Sequence, residues 1–117
     1  MESKDKLPGG VTKAQIDAWK KAHGVIHKIS VIVEKDAKGK AKDVAVGYIK
    51  DVNDDLDIIS NAVTLQATRV LEAKLFVLEN AWLGGDERIR TVTKIKISAA
   101  IQAGQTVDLL DGSVEKL

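Results

Sequence analysis

The chain has 117 residues, of which 44% are hydrophobic, and this is the size and composition of one globular domain rather than of a disordered chain. Its 18 basic and 17 acidic side chains leave a net charge of +1, whereas binding to nucleic-acid phosphates requires a concentrated cationic face. Cysteine is absent, which excludes disulfides, thiolate nucleophiles and cysteine-based zinc sites. Nucleic acid is therefore not expected as a partner.

The cysteine content and the hydropathy pattern also bear on localisation. Secreted domains of this size are often stabilised by disulfides, so a sequence without cysteine favours a reducing compartment. Residues 1–10 are polar and carry no apolar run of signal-peptide length. No stretch approaches the ~20 apolar residues of a membrane span. We therefore expect a cytoplasmic protein that has no membrane partner.

A helix over residues 12–23 is the first predicted element. Thr12 and Gln15 have the spacing of a capping box, in which the two side chains satisfy free backbone N–H groups of the first turn. Gly24 follows, and glycine readily adopts the left-handed conformation that ends a helix. Residues 1–10, which close with Pro-Gly-Gly, are predicted to be a flexible N-terminal arm.

Two alternating segments predict a β-hairpin. Apolar and polar side chains alternate over residues 25–34 and again over residues 42–50, and residues 36–40 between them contain a glycine suited to a turn. The apolar face of the second strand comprises Val44, Val46 and Tyr48. Two strands alone are marginally stable in water, so we expect the helices that follow to cover this face. The lysines near the turn are interpreted as a solvated hairpin tip: Lys35, Lys38, Lys40 and Lys42.

Residues 53–83 contain neither glycine nor proline and are predicted to be helical. One helix of this length would be long for a globular domain, so two helices with a break near Thr64–Thr68 are preferred over one. The first part carries an apolar stripe of Leu56, Ile59 and Val63. The second part carries a denser stripe of Val70, Leu71, Lys74, Leu75, Leu78 and Trp82.

The segment after these helices is harder to interpret. Gly84-Gly85 is predicted to end the second helix, and Asp86 can cap the element that follows. Residues 91–98 are ambiguous, because residues 94–98 alternate like a strand whereas residues 98–103 favour a helix. We prefer a helix that begins at about Thr93.

Together these elements predict an α+β fold with an N-terminal helix, an antiparallel β-hairpin and a helical C-terminal half packed on the hairpin. Residues 11–111 would form this single domain, and residues 112–117 would be a frayed C-terminal tail.

Sequence motifs for catalysis or metal binding are incomplete. Four polar residues have the spacing of the first calcium-loop ligands: Asp51, Asn53, Asp55 and Asp57. However, Leu56 stands where that loop needs glycine and Ala62 where it needs a bidentate glutamate, so helix capping explains the cluster better. His23 and His27 lack a third zinc ligand at a motif spacing. We therefore predict no catalytic residue, no metal and no cofactor, and we expect that the protein is not an enzyme.

The segment Ala81–Ile89 is the strongest candidate for a binding site. Its tryptophan and leucine can close a core while the glycines turn the chain, or they can anchor a partner, and both interpretations can hold together. Our predicted partner-binding residues are Phe76, Val77, Trp82, Leu83, Gly84, Gly85 and Asp86.

Three stretches resemble the tail assembly chaperone-like proteins of tailed phages and prophages. They are the opening helix at residues 12–24, the strand end Gly47-Tyr48-Ile49-Lys50 and the turn Trp82-Leu83-Gly84-Gly85-Asp86-Glu87. The resemblance spans about residues 12–103, and the turn is its most specific part. The chain departs from the family after the second strand, where a proline often follows the lysine and Asp51 stands here.

This resemblance implies a non-catalytic role. Such chaperones bind tape-measure and tail-tube proteins in the host cytoplasm before tail polymerisation, and they need an exposed apolar patch to do so. Ile58 and Leu65 are further candidates for that patch. The alternative is a structural component of a phage tail, virion or contractile injection particle that forms a homo-oligomer through the hairpin edge.

Overall fold

A computed structural model describes residues 6–107 and 113–117, and within them five α-helices accompany a three-stranded antiparallel sheet. The prediction of an α+β fold is thereby confirmed. In chain order the elements are α1 (Lys13–His23), β1 (Ile26–Lys35), β2 (Ala41–Lys50), α2 (Leu56–Gln66), α3 (Val70–Ala81), β3 (Trp82–Gly85), α4 (Arg88–Thr91) and α5 (Thr93–Gln105).

The predicted first helix forms with the capping box at its start. The backbone N–H of Gln15 donates to the Thr12 hydroxyl at 3.2 Å, and the backbone N–H of Thr12 donates to the Gln15 side-chain oxygen at 2.8 Å. Gly24 ends the helix at a φ of 81°. Local sequence signals therefore fix both ends of α1.

The hairpin pairs β1 with β2 from Ile26 opposite Lys50 to Lys35 opposite Ala41. Its turn is stabilised by Asp36, whose carboxylate accepts the backbone N–H groups of Lys38 and Lys40 at 2.8 and 2.9 Å. Two register shifts lie near the turn, so the end of the hairpin is irregular. The predicted hairpin is confirmed.

Both faces of the hairpin are covered in its inner half, away from the turn, which was not predicted. Ile29 and Val31 share one face with Ala45 and Ile49, and all four belong to the main core that the helices α2 to α5 complete. Val46 and Tyr48, on the other face, form a second cluster with Val11, Ile16 and Trp19. Of the apolar face named in the prediction, Val46 and Tyr48 are therefore covered by α1 and the segment before it, not by the C-terminal helices, whereas Val44 is 37% exposed. Both faces of β2 are apolar, so the sequence alone does not indicate which face packs against which helix.

The helical region from residue 53 divides into two helices, as predicted, and the break lies at residues 67–69. Asp55 caps α2 by accepting the backbone N–H of Ile58 at 3.1 Å. The buried side chains of α2 are Ile58 and Ala62, whereas Leu56 and Val63 of the predicted stripe are 79% and 47% exposed. The helix thus carries two apolar stripes, and of the predicted one only Ile59 packs against the main core.

The strand β3 is absent from the predicted elements. The prediction that the second helix ends before the glycines is right, but residues 82–85 then pair with β2 instead of forming a simple turn. Gly85 lies opposite Gly47 and adopts a φ of 138°. Four residues with two glycines have little strand propensity of their own, so only the pairing with β2 creates this strand.

The helix predicted from about Thr93 is confirmed as α5. Its buried residues Ile95, Ala99 and Ala103 recur every fourth position, which is the spacing of one helix face. The alternation over residues 94–98 that favoured a strand is therefore misleading. The helix also continues through Gly104 to Gln105.

Part of the predicted N-terminal arm contacts the sheet. Residues 8–10 form a single 3-10 turn, and the Tyr48 hydroxyl donates a 2.8 Å hydrogen bond to the Pro8 carbonyl. Residues 113–117 of the predicted tail are exposed and have no regular structure. Residues 1–5 and 108–112, which include the rest of the arm and the predicted domain end, lie outside the described residues.

Candidate protein-binding surface

The segment Trp82–Asp86 forms the short edge strand β3 and the bend that follows it. The Trp82 ring packs against the backbone of Gly47 in β2, where an added Cβ would lie 2.5 Å from the ring. Leu83, Gly84, Gly85 and Asp86 are each half-buried. Most of this segment therefore packs against the sheet and keeps only part of its surface available to a partner.

Asp86 belongs to an ionic cluster with Arg88 and Asp43. The Arg88 guanidinium donates to Asp43 at 2.7 and 3.0 Å and to Asp86 at 2.8 Å. Hydrogen bonds from Arg88 hold the pKa of both carboxyl groups below the usual value and raise the pKa of Arg88. The Asp86 carboxylate also accepts the backbone N–H of Arg88 at 2.9 Å, but the N-cap of α4 is Glu87, whose side chain makes no capping hydrogen bond, so Asp86 does not occupy the predicted cap position.

The predicted partner-binding residues do not form one continuous site. Val77 is 2% exposed and belongs to the main core, and Phe76 is half-buried against that core. Val77 borders a groove between α2, α3 and α5, whereas Trp82 borders a different groove between α3 and α4. Of the two further candidates, Ile58 is buried and Leu65 is half-buried.

The groove beside Trp82 has a volume of about 440 Å³. Two ion pairs lie along it, one from Lys96 to Glu79 at 3.3 Å and one from Arg90 to Glu87 at 3.8 Å. Because each cation faces a carboxylate, this groove offers no unbalanced charge to a ligand.

The groove between α2, α3 and α5, which we call the α2–α5 groove, is smaller and more apolar. Its volume is about 140 Å³, and Ala62, Ala73 and Val77 form its buried floor. Val63 lines its edge and is 47% exposed. Val70 lies one turn before Ala73 on the same face of α3, which extends the apolar surface past the groove.

We define the α2–α3 surface as this groove together with the exposed side chains of Val63, Val70 and Leu71. Val70 and Leu71 are 51% and 41% exposed. All three residues belong to predicted apolar stripes, but none of them is among the predicted partner-binding residues. A sequence feature that could have indicated this surface is present in α2. Its two apolar stripes are together wider than the single face that a packed helix buries.

The acidic cluster before α2 has structural partners. Asp51 accepts a 2.8 Å hydrogen bond from His27 and further hydrogen bonds from Asn53. Burial raises the pKa of Asp51, but the hydrogen bonds from His27 and Asn53 outweigh it, so the pKa lies below its usual value. Within residues 6–107 and 113–117, no group of three or more His, Cys, Asp or Glu side chains is arranged to hold a metal ion.

The outer half of the hairpin also exposes apolar side chains. Ile32 and Val44 lie opposite each other and are 52% and 37% exposed, and Val33 is 37% exposed. The strand β3 pairs with β2 only between Gly47 and Ile49, so it does not cover this part of the sheet edge. The tip carries the four lysines of the sequence analysis, and one of them, Lys42, pairs with Glu34 at 3.6 Å.

In the described parts of the chain, no helix has the length and apolar character needed to cross a membrane. Comparison with protein-family models, with curated proteins and with solved structures finds no match to this chain.

Proposed function

We propose that this protein is a non-catalytic assembly factor that binds an apolar segment of another protein through the α2–α3 surface. The observation that carries the proposal is the exposure of Val63 at the edge of an apolar groove, together with that of Val70 and Leu71 in the first turn of α3. Exposed apolar side chains of this kind are typical of protein-interaction sites, because their transfer from water into an interface is favourable.

The chemistry of the surface suits reversible binding. Aliphatic side chains gain free energy on burial without requiring a fixed hydrogen-bond geometry, so the surface can release its partner when a more extensive contact replaces it. The rest of α2 and α3 is held in the main core through Ile58, Val77 and Leu78. A partner can therefore bind without unfolding these helices.

The resemblance in the sequence suggests which partner this is. Tail assembly chaperone-like proteins bind tape-measure and tail-tube proteins before tail polymerisation, and these subunits must be kept apart until assembly begins. We propose that this protein does the same in the host cytoplasm, with the tape-measure protein as its first candidate partner. It would then be absent from the finished particle.

The experiment that tests this proposal is co-purification with the tape-measure protein from the same genome. We expect the native chain to retain that protein and the double variant Val63→Gln/Leu71→Gln to lose most of it. Glutamine has a higher helix propensity than valine, so the variant should keep its fold. Val25→Gln/Val92→Gln is the matched control, because these residues are 61% and 42% exposed elsewhere on the molecule. Retention by both double variants would refute the proposed surface.

A second candidate function is supported by the outer half of the hairpin. Exposed Ile32 and Val44 beside unpaired strand edges are features that let one subunit pair with another. In that case the protein would be a structural component that oligomerises and stays in the particle. Light scattering would then show that the native chain is an oligomer. The double variant Ile32→Thr/Val44→Thr should be monomeric, and its threonines keep β-branched residues in the strands. A monomeric native chain that is missing from purified particles would exclude this candidate.

A further inference from the structure

We propose that the α2–α5 groove selects one aliphatic or phenyl side chain that is followed by a carboxylate on the partner. This inference rests on the proposed function and names the chemistry that the α2–α3 surface recognises.

The size of the groove limits what it can hold. A volume of about 140 Å³ is close to that of an apolar cavity of about 150 Å³ that binds a benzene molecule. The groove therefore has room for one leucine, isoleucine or phenylalanine side chain. The floor residues Ala62 and Ala73 are small, so a side chain that enters the groove can reach the core helices.

A cation lies at the edge of this apolar floor. Lys74 lines the groove, and its aliphatic stem rests on Gly104, where an added Cβ would approach the Lys74 Cγ to 2.7 Å. No carboxylate of the described residues lies within salt-bridge distance of the Lys74 ammonium. Within residues 6–107 and 113–117, the groove thus combines an apolar floor with one positive charge that no carboxylate pairs.

The other polar side chains among the described residues that line the groove are uncharged. Gln66 and Gln105 line it, and their amides can hydrogen-bond to a partner backbone without opposing the charge of Lys74. A partner segment with a carboxylate near its apolar anchor therefore complements the groove, and a segment with a lysine there is repelled. The Trp82 groove lacks this selectivity because its cations already have acidic partners.

The test uses synthetic helical peptides that carry one leucine followed four residues later by glutamate or lysine. Binding to the full chain is followed through the amide NMR signals of Ala73 and Gly104. We expect the leucine–glutamate peptide to bind about two- to fivefold more tightly than the leucine–lysine peptide, the range of an exposed ion pair. Replacement of the leucine by alanine should remove the shifts at Ala73 and Gly104.

Three variants separate the charge from the apolar floor. Lys74→Glu should reverse the preference, and Lys74→Met should abolish it while the leucine is still required, because methionine keeps the aliphatic stem. Lys94→Glu is the control, since Lys94 is an exposed lysine of α5 that does not line this groove. An unchanged preference in Lys74→Glu, or no shift at the groove amides with any peptide, would overturn the inference. The peptides can show no preference at the groove while the double variant Val63→Gln/Leu71→Gln still no longer co-purifies with the tape-measure protein. In that case the proposed function stands, but without this selectivity.

Discussion

Arg88 donates two hydrogen bonds to the carboxylate of Asp43, at 2.7 and 3.0 Å, across 45 residues of sequence. The same guanidinium also contacts Asp86, which follows the edge strand β3. One side chain therefore joins the beginning of β2 to the bend between β3 and α4. The cluster fixes the glycine-containing segment that the sequence analysis selected as a binding site, and its role in the structure is to position that segment.

The first prediction concerns the geometry of this cluster. Arg88→Lys keeps the positive charge but removes the planar fork that binds a carboxylate through two nitrogens. We expect a lower midpoint of urea unfolding and faster hydrogen exchange at the β3 amides. Arg90→Lys is the control, because Arg90 makes one longer contact of 3.8 Å with Glu87. Equal effects of the two substitutions would show that the Arg88 geometry contributes nothing specific.

The second prediction concerns acid stability. The pKa values of Asp43, Asp51 and Asp86 are lowered in the folded protein, so each carboxylate stabilises the fold at a pH above its unfolded value of 3.8. This stabilisation is lost as the pH falls from about 4 through the lower pKa values that these carboxyl groups have in the folded protein. We expect the unfolding free energy to fall steeply below about pH 4, and Asp86→Asn to make that fall shallower. Urea unfolding between pH 7 and pH 2.5 measures the slope, with Asp54→Asn as an exposed control. Equal slopes for the native chain and Asp86→Asn would contradict the prediction.

The third prediction concerns the contact between β2 and β3. An added Cβ at Gly47 would lie 2.5 Å from the Trp82 ring and 2.8 Å from Ile89, so Gly47→Ala forces buried groups apart. We expect a loss of about 1–3 kcal/mol in unfolding free energy, measured by urea unfolding followed through tryptophan fluorescence. Trp82→Leu should recover part of this loss in the double variant, because the smaller side chain leaves room for the methyl group. A Gly47→Ala chain as stable as the native one would show that Trp82 does not pack there.

The parts of the fold that sequence reasoning could predict depend on local interactions. The capping box of Thr12 and Gln15 needs only neighbouring residues, and the turn at Asp36 is likewise closed by its own side chain. The strand β3 could not be predicted because its four residues are held by pairing with a strand more than 30 residues earlier. The pattern of neighbouring residues contains no information about a pairing between two strands that are so far apart in the sequence.

The proposed binding surface was also only partly accessible to sequence reasoning. Phe76 and Val77 were selected as apolar residues of α3, but the sequence does not say which of its many apolar side chains face the sheet. The structure assigns Val77 to the core and leaves Val70 and Leu71 exposed. That choice depends on how α2, α3 and α5 pack together, which is a tertiary property.

The final prediction tests which side of α2 faces the core. Ile58 is 8% exposed and Leu56 is 79% exposed, although both are large aliphatic residues in the first turn of the helix. Ile58→Ala should lower the unfolding free energy by about 2–4 kcal/mol, because it removes buried methyl groups and leaves a cavity. Leu56→Ala should change it by less than about 0.5 kcal/mol, because the side chain already contacts water. Both values come from urea unfolding under one set of conditions. If Leu56→Ala were the more damaging substitution, α2 would be rotated towards the stripe of Leu56, Ile59 and Val63, and Val63 would no longer be available to a partner.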